Sequence, residues 1–371
     1  MSKKVKKFSL GAVVFLCILA IVVGFASGFV GYALVTLSHD SDIYVSGDLS
    51  FHFLELGNAN TGDCTLVKVG DTEVLIDAGS KTSSVPTIRK YLDNYVEDGV
   101  IEYVIVTHAH EDHYAGFATS ETADSLFDIY EVTTIIDFAQ ITSGKADQDM
   151  YKDYQRELNE EIARGATHYT ALECVKGENG ATSTFELGSS VTMTILYQKY
   201  YETVASTENN HSVCTLFTQG DNNFLFTGDL EELGEKSLVE QNPSLPHCKL
   251  YKAGHHGSKT SSHNVLLSKI SPEVVCVCCC AGNSEYTDNA ENMFPTQDFI
   301  NRISEYTDKV YVTTLGDIDD KKKFSSFNGN IVVKSNRDGI AVTCSNNDTI
   351  LKDSDWFKKY RTMPDKWKKT A

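Results

Sequence analysis

The chain is poor in positive charge, in tryptophan and in repetition. Its 371 residues hold 33 Lys and Arg against 51 Asp and Glu. Four of the lysines fall within the first 37 residues, which contain no acid, so residues 38–371 set 29 basic groups against 51 acidic ones, a net −22. A body of that sign repels polyanions at long range, which excludes non-specific grip on nucleic acid by overall charge and makes a local basic patch or a small substrate the requirement. No fixed repeat period and no low-complexity linker occurs inside the chain, which excludes a solenoid and leaves one domain as the economical reading. Cysteines number ten. Cys17 lies in the N-terminal apolar segment, and the remaining nine cannot all be paired. The run Cys276-Val277-Cys278-Cys279-Cys280 reads as one buried strand in which Cys acts as a small hydrophobe. A thiolate metal cluster is disfavoured there because adjacent strand residues face opposite ways. Both tryptophans, Trp356 and Trp367, fall in the last 16 residues beside six basic residues and one acid. That composition suits a membrane surface, an acidic polymer or a solubilising tail.

A hydrophobic content of 41% with 10% aromatics is that of a globular protein. Residues 8–37 are almost unbroken apolar sequence after Lys3, Lys4, Lys6 and Lys7, longer than the roughly 20 residues that span a bilayer. They read as a signal anchor with the lysines cytoplasmic and everything after about residue 38 outside; a signal peptide cleaved near Ala26-Ser27-Gly28 is the rival. The expected organisation is therefore an anchor at 1–37, a linker at 38–48, one domain at 49–350 and a basic aromatic tail at 351–371.

Within the domain, Phe51–Leu56, Cys64–Val69 and Glu73–Ala78 read as short strands joined by Gly-rich turns. Residues 85–97 have helical spacing, and Tyr103–Val106 reads as a buried strand. Later elements are a solvated helix at Asp147–Arg164, strands at Phe185–Tyr197, His211–Thr218 and Phe224–Thr227, a helix at Glu231–Val239 and a strand at Leu250–Ala253. The Cys-rich strand follows, then a helix at Thr296–Tyr306 and strands at Lys309–Thr314, Gly329–Ser335 and Gly339–Cys344. Strands grouped with helices in two similar halves imply two sheets back to back with helices on both outer faces.

Chemistry concentrates where apolar strands stop. After Tyr103–Val106 come His108, His110, Asp112 and His113, four potential metal ligands in six residues. His108 and His110, two apart, can share one metal, while the adjacent Asp112 and His113 diverge and can serve a second. Asp77 ends an earlier strand and can fix the histidine loop from behind. Asp229 ends the strand at Phe224–Thr227, and Leu250–Ala253 runs into His255 and His256.

The motifs HAHEDH (108–113), TGD (227–229) and GHHGS (254–258), with IDAG (76–79) upstream, resemble those of the metallo-β-lactamase fold hydrolases. The stretches FLFTGDLE, KAGHHGSKTSS and VYVTTLGD look like the extracellular nuclease-like domain of ComEC competence proteins and related phosphorylcholine esterases, over roughly residues 50–345. The resemblance implies a four-layer αββα sandwich. It implies two divalent cations, zinc first and manganese or iron as alternatives. His108 and His110 would hold one, Asp112, His113 and His255 the other, and Asp229 would bridge them. The third-motif ligand stays open among Asn209, Asn210 and His211. Asp112, Asp229 and His256 are the expected catalytic residues, and Lys252, Ser258 and Lys259 the expected contacts to a substrate phosphate. Phe294-Pro295 stands where ComEC relatives tend to carry His-Pro, which removes a possible catalytic histidine. The function implied is phosphodiester hydrolysis by a metal-bound hydroxide, on nucleic acid or an envelope phosphodiester. The alternatives are ester, lactam or thioester hydrolysis, and a non-catalytic module serving the envelope or a DNA-uptake complex.

Overall fold

Two eight-stranded sheets face one another in the structure, a computed structural model that describes residues 49–119, 124–188, 190–317, 320–336 and 339–368. These residues belong to one compact unit, Ser46–Ala371. The anchor and linker expected at 1–48 lie outside the described residues, among which no helix is long and apolar enough to cross a membrane.

The first sheet runs in spatial order β16 (Gly339–Cys344), β15 (Ile331–Asn336), β1 (Leu49–Phe53), β2 (Thr65–Val69), β3 (Thr72–Ile76), β4 (Val100–Ile105), β5 (Glu131–Asp137) and β6 (Thr167–Thr170). The second runs β14 (Asp320–Ser326), β13 (Val310–Asp317), β12 (Val274–Ala281), β11 (Leu250–Lys252), β10 (Asn222–Phe226), β9 (Cys214–Gln219), β8 (Val191–Leu196) and β7 (Thr184–Gly188). Each sheet has a parallel half, β3 to β6 in one and β10 to β13 in the other, joined to an antiparallel half. In open parallel sheets ligand sites gather outside the carboxyl ends of the strands, and the loops after β3, β4, β10 and β11 carry the residues of interest.

The sheets are held face to face by aromatic side chains. Phe51 of β1 lies 5.4 and 4.6 Å, centroid to centroid, from Phe217 of β9 and Phe224 of β10, and Phe53 stacks on Phe226 at 5.9 Å. Burying such rings supplies most of the favourable free energy of a core of this kind. The helix Val85–Leu92 covers the first sheet with Val85, Ile88 and Leu92, the stripe that 3.6-residue periodicity puts on one face. On the second sheet, helices Glu232–Gln241, Asn264–Ile270 and Gln297–Ile303 pack against Val275, Val277 and Cys279. Cys276 and Cys278 face the other way, into the inter-sheet core. The Cys-rich run therefore alternates as a strand must, all nine described cysteines are free thiols, and burial pushes Cys280 up to about 12.

Two expectations differ from the structure. The single strand foreseen over Phe185–Tyr197 is the hairpin β7–β8. The tail foreseen from residue 351 is not separate, because Leu351, Trp356, Phe357 and Trp367 are buried in the cluster on the outer face of the second sheet and Trp367 Nε1 donates to the Thr307 carbonyl at 2.9 Å. Its tryptophans are consumed by the core and are not available to a membrane or a polymer.

Candidate metal centre

The loop after β4 turns sharply, and what shapes it is a close fit against the turn after β3. A Cβ on Gly79 would meet the Asp112 carbonyl oxygen at 1.6 Å, so only glycine permits the two turns to touch. Asp77, in left-handed backbone at φ 58°, aims its carboxylate into the histidine loop. It accepts from the Thr107 N–H at 2.7 Å and the Thr107 hydroxyl at 2.8 Å, and it lies 2.7 Å from His113 Nδ1. His113 therefore donates its Nδ1–H to Asp77 and turns Nε2 inward, 3.2 Å from Asp229 Oδ2.

His256 repeats this arrangement from the opposite sheet. Its Nδ1 lies 2.9 Å from the Cys278 carbonyl and 3.2 Å from Asp63 Oδ1, while Nε2 lies 3.4 Å from Asp229 Oδ2 and 3.3 Å from Asp112 Oδ2. His255 and His256 occupy left-handed backbone at φ 47° and 52°, strain that side chains other than glycine adopt mainly at functional sites. The turn sends the two rings apart. His256 is fully buried in the cluster, whereas the His255 side chain is 21% exposed at the rim, held by Thr260 Oγ1 at 3.0 Å and 3.9 Å from Asp229. The expected roles are thus exchanged: His256, not His255, stands in ligand position beside Asp112, His113 and Asp229.

Asp63, Asp229, His113 and His256 bring one ligand atom each within 4.8 Å of one another. We read Asp63 as support for His256 and not as a ligand, because it approaches from the Nδ1 side, away from Nε2, and is neutralised by its ion pair with Lys252. Burial would lower the Lys252 pKa, but Asp63 and Asp229 outweigh it and hold the ammonium charged. Lys252, expected to touch a phosphate, is 2% exposed between these carboxylates and does not reach solvent. Ser258 is also buried, hydrogen-bonded to Thr260, and Lys259 points to Asn292 at 2.9 Å, so neither faces the cluster.

His108 and His110 lie side by side, Nε2 to Nδ1 at 3.0 Å, with His108 3.9 Å from Asp229. Burial, reinforced by the neighbouring imidazoles, holds His108 well below the ordinary histidine value, so it is neutral and able to ligate. The third ligand expected near them is not His211. That residue sits in the short helix Glu208–His211, its Nε2 accepts from the Ala205 N–H at 2.8 Å and its Nδ1 faces Glu208 at 3.2 Å, so both nitrogens are engaged away from the cluster. Asn210 is spent on helix Glu232–Gln241, accepting from Glu231 and Gly234 N–H groups. Asn209 alone of the three approaches, with Nδ2 3.4 Å from His255 Nδ1.

The residues present fit a cation. His113 Nε2, His256 Nε2 and Asp229 Oδ1 are buried without a hydrogen-bond partner, and the donors are imidazoles and carboxylates, which suit divalent metals. Protons replace that charge otherwise: burial opposes it, but Asp229 with Asp77 raises His113, and Asp229 with Asp63 raises His256, both well above the ordinary histidine range. Asp112 and Asp229 are held well below the carboxylate range against burial, by His256 and His113.

Residues 57–120, which hold Asp63, Asp77 and the histidine loop, match the Metallo-beta-lactamase superfamily. The chain carries a metallo-β-lactamase fold domain. It is 35% identical over 77 residues to Recombination protein 2 of Haemophilus influenzae (21% of this chain, 9% of that one) and 33% identical over 109 residues to Competence protein ComA of Neisseria gonorrhoeae (29% and 15%). The branch these relatives support is the ComEC-like one, of whose curated members the chain spans only a small part. Among solved structures, the metallo-beta-lactamase fold protein YhfI from Bacillus subtilis aligns over 77% of this chain and 99% of that one, at 11% identity and a TM-score of 0.42.

Sequence reasoning missed Asp63. It lies in the Gly-rich turn before β2, and only the position of Lys252, far along the chain, gives it meaning; the available signal was an acid directly before an apolar strand, the same pattern that marked Asp77 in mirror image.

Proposed function

We propose that the protein is a metal-dependent hydrolase of phosphodiesters, tethered by residues 8–37 with its folded unit outside the membrane. The observation that carries the reading is the inward convergence of His113 Nε2, His256 Nε2, Asp112 and Asp229, each histidine fixed from behind by a hydrogen-bond acceptor. Divalent cations, zinc first and manganese or iron as alternatives, supply when bound an acidified water and a positive field for charge growing on a phosphoryl group. Asp112, His113, Asp229 and His256 hold them, and His108 with His110 favours a second. Asp77 and the Cys278 carbonyl keep the two inner imidazoles in the tautomer whose Nε2 is free. Phe294, 5.9 Å from His256 and 5.7 Å from His255, keeps water from that side of the rings.

β14 carries three lysines beside Asp317 and Asp320, and Lys323 pairs with Asp320 at 3.2 Å. Lys321, Lys322 and Lys323 are exposed on β14, and Lys321, Lys322 and Phe324 line a cavity of about 550 Å³ with Asn60 and Glu285. Glu285 of this cavity directly precedes Tyr286, which touches Asp112.

The test is metal analysis of the purified chain with hydrolysis of bis(4-nitrophenyl) phosphate, 4-nitrophenyl acetate and a chromogenic lactam. Metal-dependent cleavage of the phosphodiester is the expected result. A metal-loaded protein whose parent and Asp112→Ala forms are equally inert on all three would leave a non-catalytic module. Protease treatment of whole cells checks the orientation, since a unit that stays protected overturns it.

A further inference from the structure

We propose that Tyr286 is a substrate-contacting residue, its hydroxyl donating a hydrogen bond to an oxygen of the group being hydrolysed. The inference rests on the hydrolase reading above and concerns the segment between β12 and the helix Gln297–Ile303, which none of the motifs includes. That segment crosses the mouth of the cluster and is pinned at both ends. Glu285 accepts from Asn60 Nδ2 at 2.7 Å and from the Thr61 N–H at 2.9 Å, with Lys81 3.7 Å away. The Gly282 N–H donates to the Phe294 carbonyl at 2.8 Å, which draws the two ends together.

Held in this way, the Tyr286 ring lies 5.7 Å from Phe294, and its hydroxyl donates to Asp112 Oδ2 at 2.7 Å. The same oxygen is 3.3 Å from His256 Nε2, so the phenol reaches the centre of the cluster. Yet Tyr286 is 55% exposed. One side chain therefore touches both solvent and the Asp112 carboxylate. Were Asp112 to hold a cation and a phosphoryl oxygen to approach that cation, the phenolic O–H, already at Asp112 Oδ2, would lie within reach of the incoming oxygen. Aimed donors of this kind stabilise charge that develops on such an oxygen.

Several other donors near the mouth have partners of their own, as Tyr286 has in Asp112. His255 is held by Thr260, Ser258 by Thr260, Lys259 by Asn292 and Lys252 by Asp63. Lys145 turns to Gln148, and Phe294 has no donor to offer.

Tyr286→Phe removes one oxygen and leaves the ring on Phe294 and the Glu285 latch in place. In the full chain, three quantities are compared with the parent: metal content, the affinity of the metal-loaded protein for inorganic phosphate by calorimetry, and kcat on bis(4-nitrophenyl) phosphate. The expected result is unchanged metal content, phosphate binding weaker by roughly 10-fold, and kcat lower by roughly 10- to 100-fold. Phosphate affinity and kcat within about twofold of the parent overturn the proposal. So does a fall in metal content with phosphate affinity per loaded site unchanged, because the hydroxyl then only steadies Asp112. A parent that holds metal but hydrolyses nothing sinks the hydrolase reading alone, since the phosphate comparison still decides whether Tyr286 touches the oxyanion.

Discussion

The two sides of the cluster are built from the same residue types and differ in what stands behind them. On the inner side, His113 and His256 each present Nε2 to Asp229 because Nδ1 is fixed, by Asp77 in one case and by the Cys278 carbonyl with Asp63 in the other. On the outer side, His108 and His110 face one another at 3.0 Å, Thr107 Oγ1 lies 3.2 Å from His108 Nδ1, no carboxylate among the described residues is hydrogen-bonded to His110, and Asp229, 3.9 Å from His108, stands near with Asn209 and with His255 at the rim. A pair of histidines thus stands on each side with Asp229 between them, Asp112 adds a second carboxylate to the inner side, and preorganisation differs. The inner site is ready for a cation, whereas the outer pair must rearrange before it can share one.

Removing one ligand from each side gives the largest expected contrast. His256→Ala takes away an inner ligand while Asp63 keeps its ion pair with Lys252, and the chain is expected to lose tight metal binding and activity together. His110→Ala is expected to leave about one metal per chain. Metal stoichiometry by elemental analysis after dialysis decides this, and equal losses from the two variants would erase the distinction drawn between the sides. Next in size is the support behind His113. Asp77→Asn preserves shape and tolerates the left-handed backbone but weakens the acceptor on Nδ1–H. Replacing such a partner lowers metal affinity by roughly 10- to 100-fold. Competition with a chelator measures it, and an unchanged affinity would mean that Asp77 serves the Thr107 turn alone.

How far the sequence revealed this centre follows from the same contrast. Residue types at strand ends were legible, so Asp77, Asp112, His113 and Asp229 were found where β3, β4 and β10 stop, and the two-sheet architecture followed from grouping strands with helices. Direction was not legible. His255 and His256 are neighbours of identical chemistry, and which one enters the cluster depends on a left-handed turn that spacing does not encode. His211 read as the start of a strand, but the segment coils into a short helix that spends both ring nitrogens on Ala205 and Glu208. Asp63 and Lys252 needed each other, across two sheets, before either had a role. Trp356 and Trp367 looked like an interfacial signal because the apolar face awaiting them, on helix Gln297–Ile303 and β12, is built from distant sequence.

Protonation gives a smaller effect that separates metal-loaded from metal-free protein. The raised values of His113 and His256 mean that their contribution to folding is fully present below the unfolded imidazole value of about 6.5 and is lost as pH rises through the folded values. The lowered values of Asp112 and Asp229 contribute in the opposite sense, with stability that is present above about 4 and lost as pH falls through the folded values. Metal-free protein is therefore expected to lose melting temperature as pH rises past neutrality. Cations displace those protons, so the gain in Tm on adding metal should widen over the same range. Thermal melts with and without chelator between about pH 6 and 9 test this, and a gap that narrows as pH rises would show that the two histidines are not where the charge is exchanged.

The smallest expected change in metal binding is the most specific check on the reading of the outer side. His211 lies outside the cluster, so His211→Ala should leave metal stoichiometry and chelator competition as in the parent. It should still destabilise the fold by about 1 to 3 kcal/mol, because the Ala205 N–H and the Glu208 carboxylate lose a buried partner. A variant that folds with parental stability but loses one metal would place His211 in the outer site after all, through a rearrangement of the helix Glu208–His211. Asn209→Ala is its companion: if Asn209 completes the outer pair, it should lower occupancy of the weaker cation while leaving the inner one untouched.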